Sequence, residues 1–129
     1  MTSSNRNPLV LNKDNEVGVA SDYNAAVYGT GHNQVAIASG IYGIASVAGA
    51  KNIAIAIGKN GVATSLNKNT LAIGWGEGTK VKGVLDSYIA AAEIDSEDNF
   101  NIQLRKVDGV NVKADTWYSL VNGEFIETK

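Results

Sequence analysis

Hydrophobic and polar positions recur every nine residues between residues 17 and 88. The first position of a unit is apolar in seven of the eight units, and the second and fourth positions are mostly small. Five residues of alternating character suit a short strand, because successive side chains of a strand point to opposite faces. The sixth position is Gly, Asn or Asp in most units, and these residues tolerate the positive φ of a tight corner. A strand and a corner in every unit predict an all-β, parallel β-solenoid.

A second period of eighteen residues divides the units into two kinds. Units that begin at 17, 35, 53 and 71 carry bulky apolar residues at positions one and three, whereas the units between them are mixed or polar there. The pattern therefore predicts two strands per turn and two unlike sheets, which form a flattened β-roll. Eight strands make four turns, about 19 Å tall at roughly 4.8 Å per stacked strand.

The bulky positions also predict an association surface. If the small residues fill the inside of the roll, the bulky ones point outward, and an exposed apolar stripe of this kind usually marks an interface. The alternative places the bulky residues inside and the alanines outside, and needs no partner chain. The first arrangement predicts an oligomer interface formed by Val35, Ile37, Ile53, Ile55, Leu71 and Ile73.

The two ends differ in composition from the repeats. Residues 1–16 are polar apart from a short apolar patch, which is typical of an extended N-terminal attachment arm. Residues 89–129 hold eight acidic and four basic residues and two hairpin turn signals. They predict a small C-terminal β cap that covers the last open strand edges, or equally a binding surface. Its predicted core is Trp117, Tyr118, Leu120 and Phe125.

Residues that could carry catalysis or hold a metal are sparse. There is no cysteine, and the one histidine, His32, falls in a predicted corner. The glycine-rich segment 74–78 lacks the following helix that a phosphate loop needs. The acidic segment 95–99 does not match the spacing of an EF-hand loop. The sequence therefore predicts a protein that is not an enzyme and that has no catalytic residues, cofactor or metal site.

Charge and hydropathy narrow the expected partners and location. A formal charge of −2 argues against nonspecific nucleic-acid binding, which relies on a dense Lys/Arg surface. No stretch approaches the roughly 18 unbroken apolar residues of a membrane span. The N-terminus has no apolar run such as a secretory signal requires. These features predict a protein that is assembled in the cytoplasm and is not inserted in a membrane.

Two resemblances follow from particular segments. The units that begin at Val35 and Ile53, Val-Ala-Ile-Ala-Ser-Gly and Ile-Ala-Ile-Ala-Ile-Gly, resemble the head repeats of trimeric autotransporter adhesins, which are typically shorter. Over about residues 35–127 the chain resembles repeat proteins of gut bacteriophages and prophages. This second resemblance rests on Lys-Gly at 82–83, Ile-Ala-Ala-Ala-Glu at 89–93, Val-Asp-Gly at 107–109 and Asp-Thr-Trp-Tyr-Ser-Leu-Val-Asn-Gly-Glu-Phe at 115–125.

The phage resemblance implies a structural role in a virion that is assembled in the host cytoplasm. The expected protein is a short homotrimeric fibre or a capsid decoration, in which the arm contacts a capsid, tail or other fibre protein. The trimer, in preference to a dimer, is implied by the resemblance. The residues expected to attach it are Pro8, Leu9, Val10 and Leu11.

A different class remains open, a carbohydrate- or surface-binding adhesin module that recognises a host-surface glycan. Its ligand would lie on Tyr28, Tyr42, Trp75 or the aromatic residues of the cap.

Overall fold

The computed structural model describes residues 2–3, 8–94 and 97–128. The described part of the chain contains no helix and fourteen strands in two seven-stranded sheets. The strands are β1 (Thr2–Ser3), β2 (Leu9–Leu11), β3 (Val17–Ala20), β4 (Ala26–Gly29), β5 (Val35–Ala38), β6 (Ile44–Val47), β7 (Ile53–Ala56), β8 (Val62–Ser65), β9 (Leu71–Gly74), β10 (Lys80–Gly83), β11 (Tyr88–Ile94), β12 (Phe100–Lys106), β13 (Tyr118–Val121) and β14 (Glu124–Glu127).

The predicted β-solenoid is confirmed. Sheet A has the strand order β1-β3-β5-β7-β9-β11-β12, and sheet B has the order β14-β13-β10-β8-β6-β4-β2. The strands of the roll pair in parallel. The offset is eighteen residues from β2 to β10, as in the pairing of Val35 with Ile53, and seventeen residues where β1 pairs with β3 and β11 with β9. The turn therefore contains eighteen residues and two strands. The roll has about five turns instead of four, because β2 and β11 add strands beyond the predicted repeat.

Small side chains fill the interior of the roll. The second and fourth residues of strands β3 to β10 are buried in both sheets, and many of them are alanine, such as Ala36, Ala54 and Ala72 in sheet A and Ala45 and Ala63 in sheet B. Small side chains allow the two sheets to approach closely. The same alternation directs the first and third residues outward, so the arrangement with the bulky residues inside is excluded.

The corners differ from the prediction in one respect. The left-handed residue of each corner is at position eight of the unit, with φ between 57° and 63° at Asn33, Tyr42, Lys51 and Asn60. The glycines at position six serve another purpose, because the backbones of stacked corners nearly touch there. A Cβ added to Gly58 would meet the carbonyl group of Gly40 in the turn below at less than contact distance.

A column of polar side chains lies buried at the corner that leads from sheet B to sheet A. Gln34 and Asn52 are each 1% exposed, and Thr70 and Ser87 continue the column in the next turns. The Asn52 Oδ1 accepts a hydrogen bond from the Gln34 backbone N–H at 2.8 Å, and its Nδ2 donates to the Gly31 carbonyl at 2.8 Å. These side chains therefore connect successive turns from the inside.

The N-terminal segment begins the stack instead of extending from it. β2 pairs in parallel with β4, and Leu11 is completely buried in the core. Residues 9–11 thus lie within the roll, although the sequence placed them in an arm that ends at residue 16. The reason is register, since Leu9 and Leu11 fall eighteen residues before Val27 and Gly29.

The C-terminal region ends both sheets with antiparallel strands. β11 is parallel to β9 but antiparallel to β12, and β13 is antiparallel to both β10 and β14. β11 is therefore a strand of the roll, although the sequence placed residues 89–94 in the cap. Tyr118 and Leu120 are buried in the core with Phe125 packed against them, and the Lys82 Nζ lies 4.6 Å from the ring centroid of the half-buried Trp117. The C-terminal β cap is confirmed as a part of the fold.

Candidate functional site

The outer face of sheet A presents a ladder of bulky apolar side chains. The six residues predicted to form an oligomer interface all lie on it, half-buried, in two columns that run along the stack. Because paired residues point to the same side of a sheet, Val17 and Val19 extend the columns below and Tyr88 extends them above. We call this surface the apolar face: Val17, Val19, Val35, Ile37, Ile53, Ile55, Leu71, Ile73, Tyr88, Ile102 and Leu104.

β12 adds the last two members of the apolar face. Leu104 pairs with Ala90, and Ile102 pairs with Ala92, on the same side as Tyr88. Both side chains are about half exposed. The composition of the chain predicts only that they belong to the cap, although they alternate with polar residues as a strand with one apolar face does. What the alternation could not show is that β12 adds to sheet A and so lengthens the ladder.

The outer face of sheet B is different in character. Its outward positions carry Ile44 and Val62 but also Ser46 and Thr64, and β10 places Lys80 and Lys82 there. The predicted contrast between two unlike sheets is therefore confirmed. One broad side of the roll is apolar and the other is mixed.

The four residues expected to attach the protein differ in accessibility. Pro8 and Val10 are exposed, Leu9 is half-buried, and Leu11 is completely buried. The register with β4 explains this alternation, because Leu9 and Leu11 face the interior side of sheet B. Of the apolar patch in β2, only Val10 is open to a partner.

His32 has a structural role in its corner. Its Nδ1 accepts a hydrogen bond from the Ala50 N–H at 3.0 Å, and its own N–H donates to Asp14 Oδ1 at 2.9 Å. These bonds connect three successive turns. Among the described residues no three His, Cys, Asp or Glu side chains are grouped so as to hold a metal ion. Of the acidic segment 95–99, residues 95 and 96 lie outside the described residues, and Asp98 is exposed.

The aromatic residues singled out for a glycan ligand lie apart from each other. Tyr42 packs edge-to-face against Tyr23 in a neighbouring corner, with the ring centroids 5.7 Å apart. Tyr28 is half-buried on sheet B. Trp75 stacks on Phe100 with a centroid distance of 4.9 Å and an interplanar angle of 20°. Of these three residues, Trp75 lines a cleft at one end of the roll.

This junction cleft lies where the roll meets the cap. It has a volume of about 590 Å³ and is lined by the corner 75–79, the end of β11 at 92–94, Asp98, and residues 119–121 of β13. Glu93 connects β11 to the β13–β14 turn and to β12 on one side of the cleft. Its carboxylate accepts hydrogen bonds from the backbone N–H groups of Asn122 at 2.8 Å and Gly123 at 2.6 Å, and from Asn101 Nδ2 at 3.1 Å.

The turn at 108–112 is closed by an aspartate. Asp108 Oδ1 accepts hydrogen bonds from the N–H groups of Val112, Val110 and Asn111 at 2.9 to 3.0 Å. The bonds from Val112 and then Val110 lower the pKa of Asp108 from its ordinary value of 3.8.

A pH titration tests the role of Asp108. The pKa of Asp108 is lower in the folded protein than in the unfolded chain, so its carboxylate stabilises the fold. This stabilisation is fully present above the pKa of the unfolded chain and is lost as the pH falls through the pKa of the folded protein. We expect a carboxyl-carbon NMR titration to give a pKa below 3.8 for Asp108. A value at or above 3.8 would mean that the turn is not closed by these bonds in solution.

Comparison with protein-family models, with curated proteins and with solved structures finds no match to this chain. None of the described residues forms a helix long and apolar enough to cross a membrane.

Proposed function

We propose that this protein is a structural component of a phage virion, a short homotrimeric fibre or capsid decoration whose rolls associate through the apolar face. The observation that supports it best is the unbroken ladder of Val, Ile and Leu side chains on one side of a rigid roll. Each residue of a column is followed in the next turn by another apolar residue. No charged side chain therefore interrupts the ladder from Val17 to Leu71.

The size of the apolar face favours a second copy of this chain as its partner. It spans six strands from β3 to β12, about 24 Å at about 4.8 Å per strand. A stable interface buries about 800 Å² on each partner. This area is larger than the exposed area of the six half-buried side chains alone. The extension to Tyr88, Ile102 and Leu104 brings the surface closer to that requirement. Identical ladders with one residue per 4.8 Å step also match each other in spacing.

The ends of the chain would supply the other functions of a fibre. The exposed residues Pro8 and Val10 lie at the first turn, next to the N-terminal end of the stack, and would contact a capsid or tail protein. The cap at the opposite end would end the parallel stack, because antiparallel strands take the places of the strands of a further turn. The roll between them would act as a spacer.

Oligomer dissociation by a single charge tests the apolar face. We expect Ile53→Glu to convert the trimer to monomers at micromolar concentration, since a buried unpaired carboxylate costs several kcal/mol in an interface. Sedimentation velocity would measure the change. The matched control is Ile44→Glu, the same residue at the same position of the unit on the outer face of sheet B. It should leave the trimer intact.

Two results would contradict the proposal. A stable monomer of the unchanged protein would remove the trimer, and equal dissociation by both variants would show that the apolar face is not the contact. The virion assignment has a separate test, in which antibodies against the protein should label phage particles purified from producing cells. Absence from the particles would leave a self-associating roll without a virion role.

A further inference from the structure

The junction cleft exists because the chain stops turning at one corner. In the turns below, each corner between sheets A and B is covered by the next, and Gly40, Gly58 and Gly76 stack in direct succession. The next corner would follow β11. Instead β11 continues to Ile94 and returns as the antiparallel β12, while β13 covers β10 from the other side. The corner 75–79 is thus left at the bottom of a cleft between two antiparallel additions.

The lining of the junction cleft combines a flat aromatic wall with acceptor groups. Phe100 packs on one face of the Trp75 ring and holds its plane, and Trp75 is still 40% exposed. Ile94, Leu120 and Val121 add apolar surface. The described lining also contains three carboxylates, those of Glu77, Glu93 and Asp98, and no Lys, Arg or His. A volume of about 590 Å³ is within the range of sites for small ligands.

We propose that the junction cleft binds a neutral oligosaccharide. The C–H face of a pyranose ring is apolar and would pack on Trp75, while its hydroxyl groups would donate to the carboxylates of Glu77 and Asp98. Three carboxylates disfavour a sugar that carries its own negative charge. The site does not depend on the trimer, although three copies in one particle would raise the overall affinity for a glycan-coated surface.

A cationic peptide is the competing ligand, and the cleft favours it less. Glu77 and Asp98 are exposed, and an ion pair in water contributes little. Glu93 already accepts three hydrogen bonds from the β13–β14 turn and Asn101. Packing on Trp75 and hydrogen bonds from hydroxyl groups to the carboxylates require no charge on the ligand.

The experiment is a titration of the full chain with a panel of neutral oligosaccharides and with a tetralysine peptide, followed by tryptophan fluorescence and NMR. We expect at least one neutral oligosaccharide to bind with millimolar or better affinity. Trp75→Ala should weaken that binding about tenfold or more. The matched control is Ile57→Ala, which truncates the residue at the same position one turn below, outside the cleft, and should leave binding unchanged.

Two further measurements separate sugar from peptide. Glu77→Gln keeps an oxygen acceptor and removes the charge, so it should change sugar binding by no more than a few-fold. Sugar binding should also persist at high salt, which screens charge pairs. The proposal is overturned if no neutral sugar binds, if Trp75→Ala leaves binding intact, or if only tetralysine binds and Glu77→Gln abolishes it.

Discussion

Gly58→Ala is expected to destabilise the roll by about 3 kcal/mol or more. The added Cβ would fall on the carbonyl oxygen of Gly40 and close to that of Ser39, both in the turn below. These are backbone atoms held by the strand ladder on either side, so neither can move without breaking the parallel register. Overpacking against such atoms costs about 3 kcal/mol or more. Since a domain of this size is stabilised by about 5–15 kcal/mol, the loss is a large part of the total.

Urea unfolding followed by circular dichroism measures this effect, at one fixed protein concentration because association contributes to stability. Gly61→Ala is the matched control in the same corner. Its Cβ would lie 3.2 Å from the carbonyl oxygens of Gly43 and Gly58, which requires a shift of only a few tenths of an ångström. We expect a change within about 1 kcal/mol, because alanine also reduces the entropy of the unfolded chain. Equal losses would show that close stacking of corners is not the reason for glycine at position six.

The corner glycines show what the sequence could predict and what it could not. The nine-residue period places a corner after every strand, and the eighteen-residue period separates the two sheets. Both follow from side-chain alternation, which is local. Position six was assigned the positive φ because glycine is commonly used there, but Asn, Tyr and Lys at position eight adopt it instead. A close approach between turns is a contact across eighteen residues and leaves no local signal.

The ends of the roll were misplaced for a related reason. β2 has only three residues, and its apolar patch is too short to show a period. β11 follows the repeat in its first residues and then leaves it, and the change in charge composition therefore predicts an end of the roll that is too early. The junction cleft depends on that departure, since it forms where the stack does not make its next corner. The sequence identified Trp75 as a candidate, but not Glu77, Glu93 or the walls around it.

The buried polar column was also missed. Position nine holds Gln34, Asn52 and Thr70 in one corner and Ala25, Gly43 and Gly61 in the other. Polar residues after a corner glycine are typical of a solvated turn. The alternation of inward and outward side chains holds only within a strand, so it does not predict the direction of a side chain in a corner. These residues face inward because position eight, in the left-handed conformation, reverses the chain before them. Their contribution to stability follows from that geometry.

Asn52→Leu should destabilise the roll by about 3 kcal/mol, even though leucine is similar in size and more apolar. The substitution leaves the Gln34 N–H and the Gly31 carbonyl without their partners inside the corner. Each buried polar group that loses its hydrogen bond costs about 1–3 kcal/mol. The comparison is Asn67→Ala, which removes a 3.0 Å bond from an amide to the Ala48 carbonyl at the exposed side of the same corner in the next turn. Water replaces that partner, so we expect a loss below about 1 kcal/mol.

A double-mutant cycle with Gln34→Leu tests whether the two side chains act as one network. Gln34 Nε2 donates to the carbonyls of Leu11 and Lys13 at 2.6 and 2.7 Å, and its Oε1 accepts from Asn52 Nδ2 at 3.4 Å. The bond between the two amides is lost in each single variant, but only once in the double variant. The double variant should therefore lose less free energy of unfolding than the sum of the single variants, by about 1 kcal/mol. Additive losses would mean that each amide stabilises its own corner separately, and that the column does not couple one turn to the next.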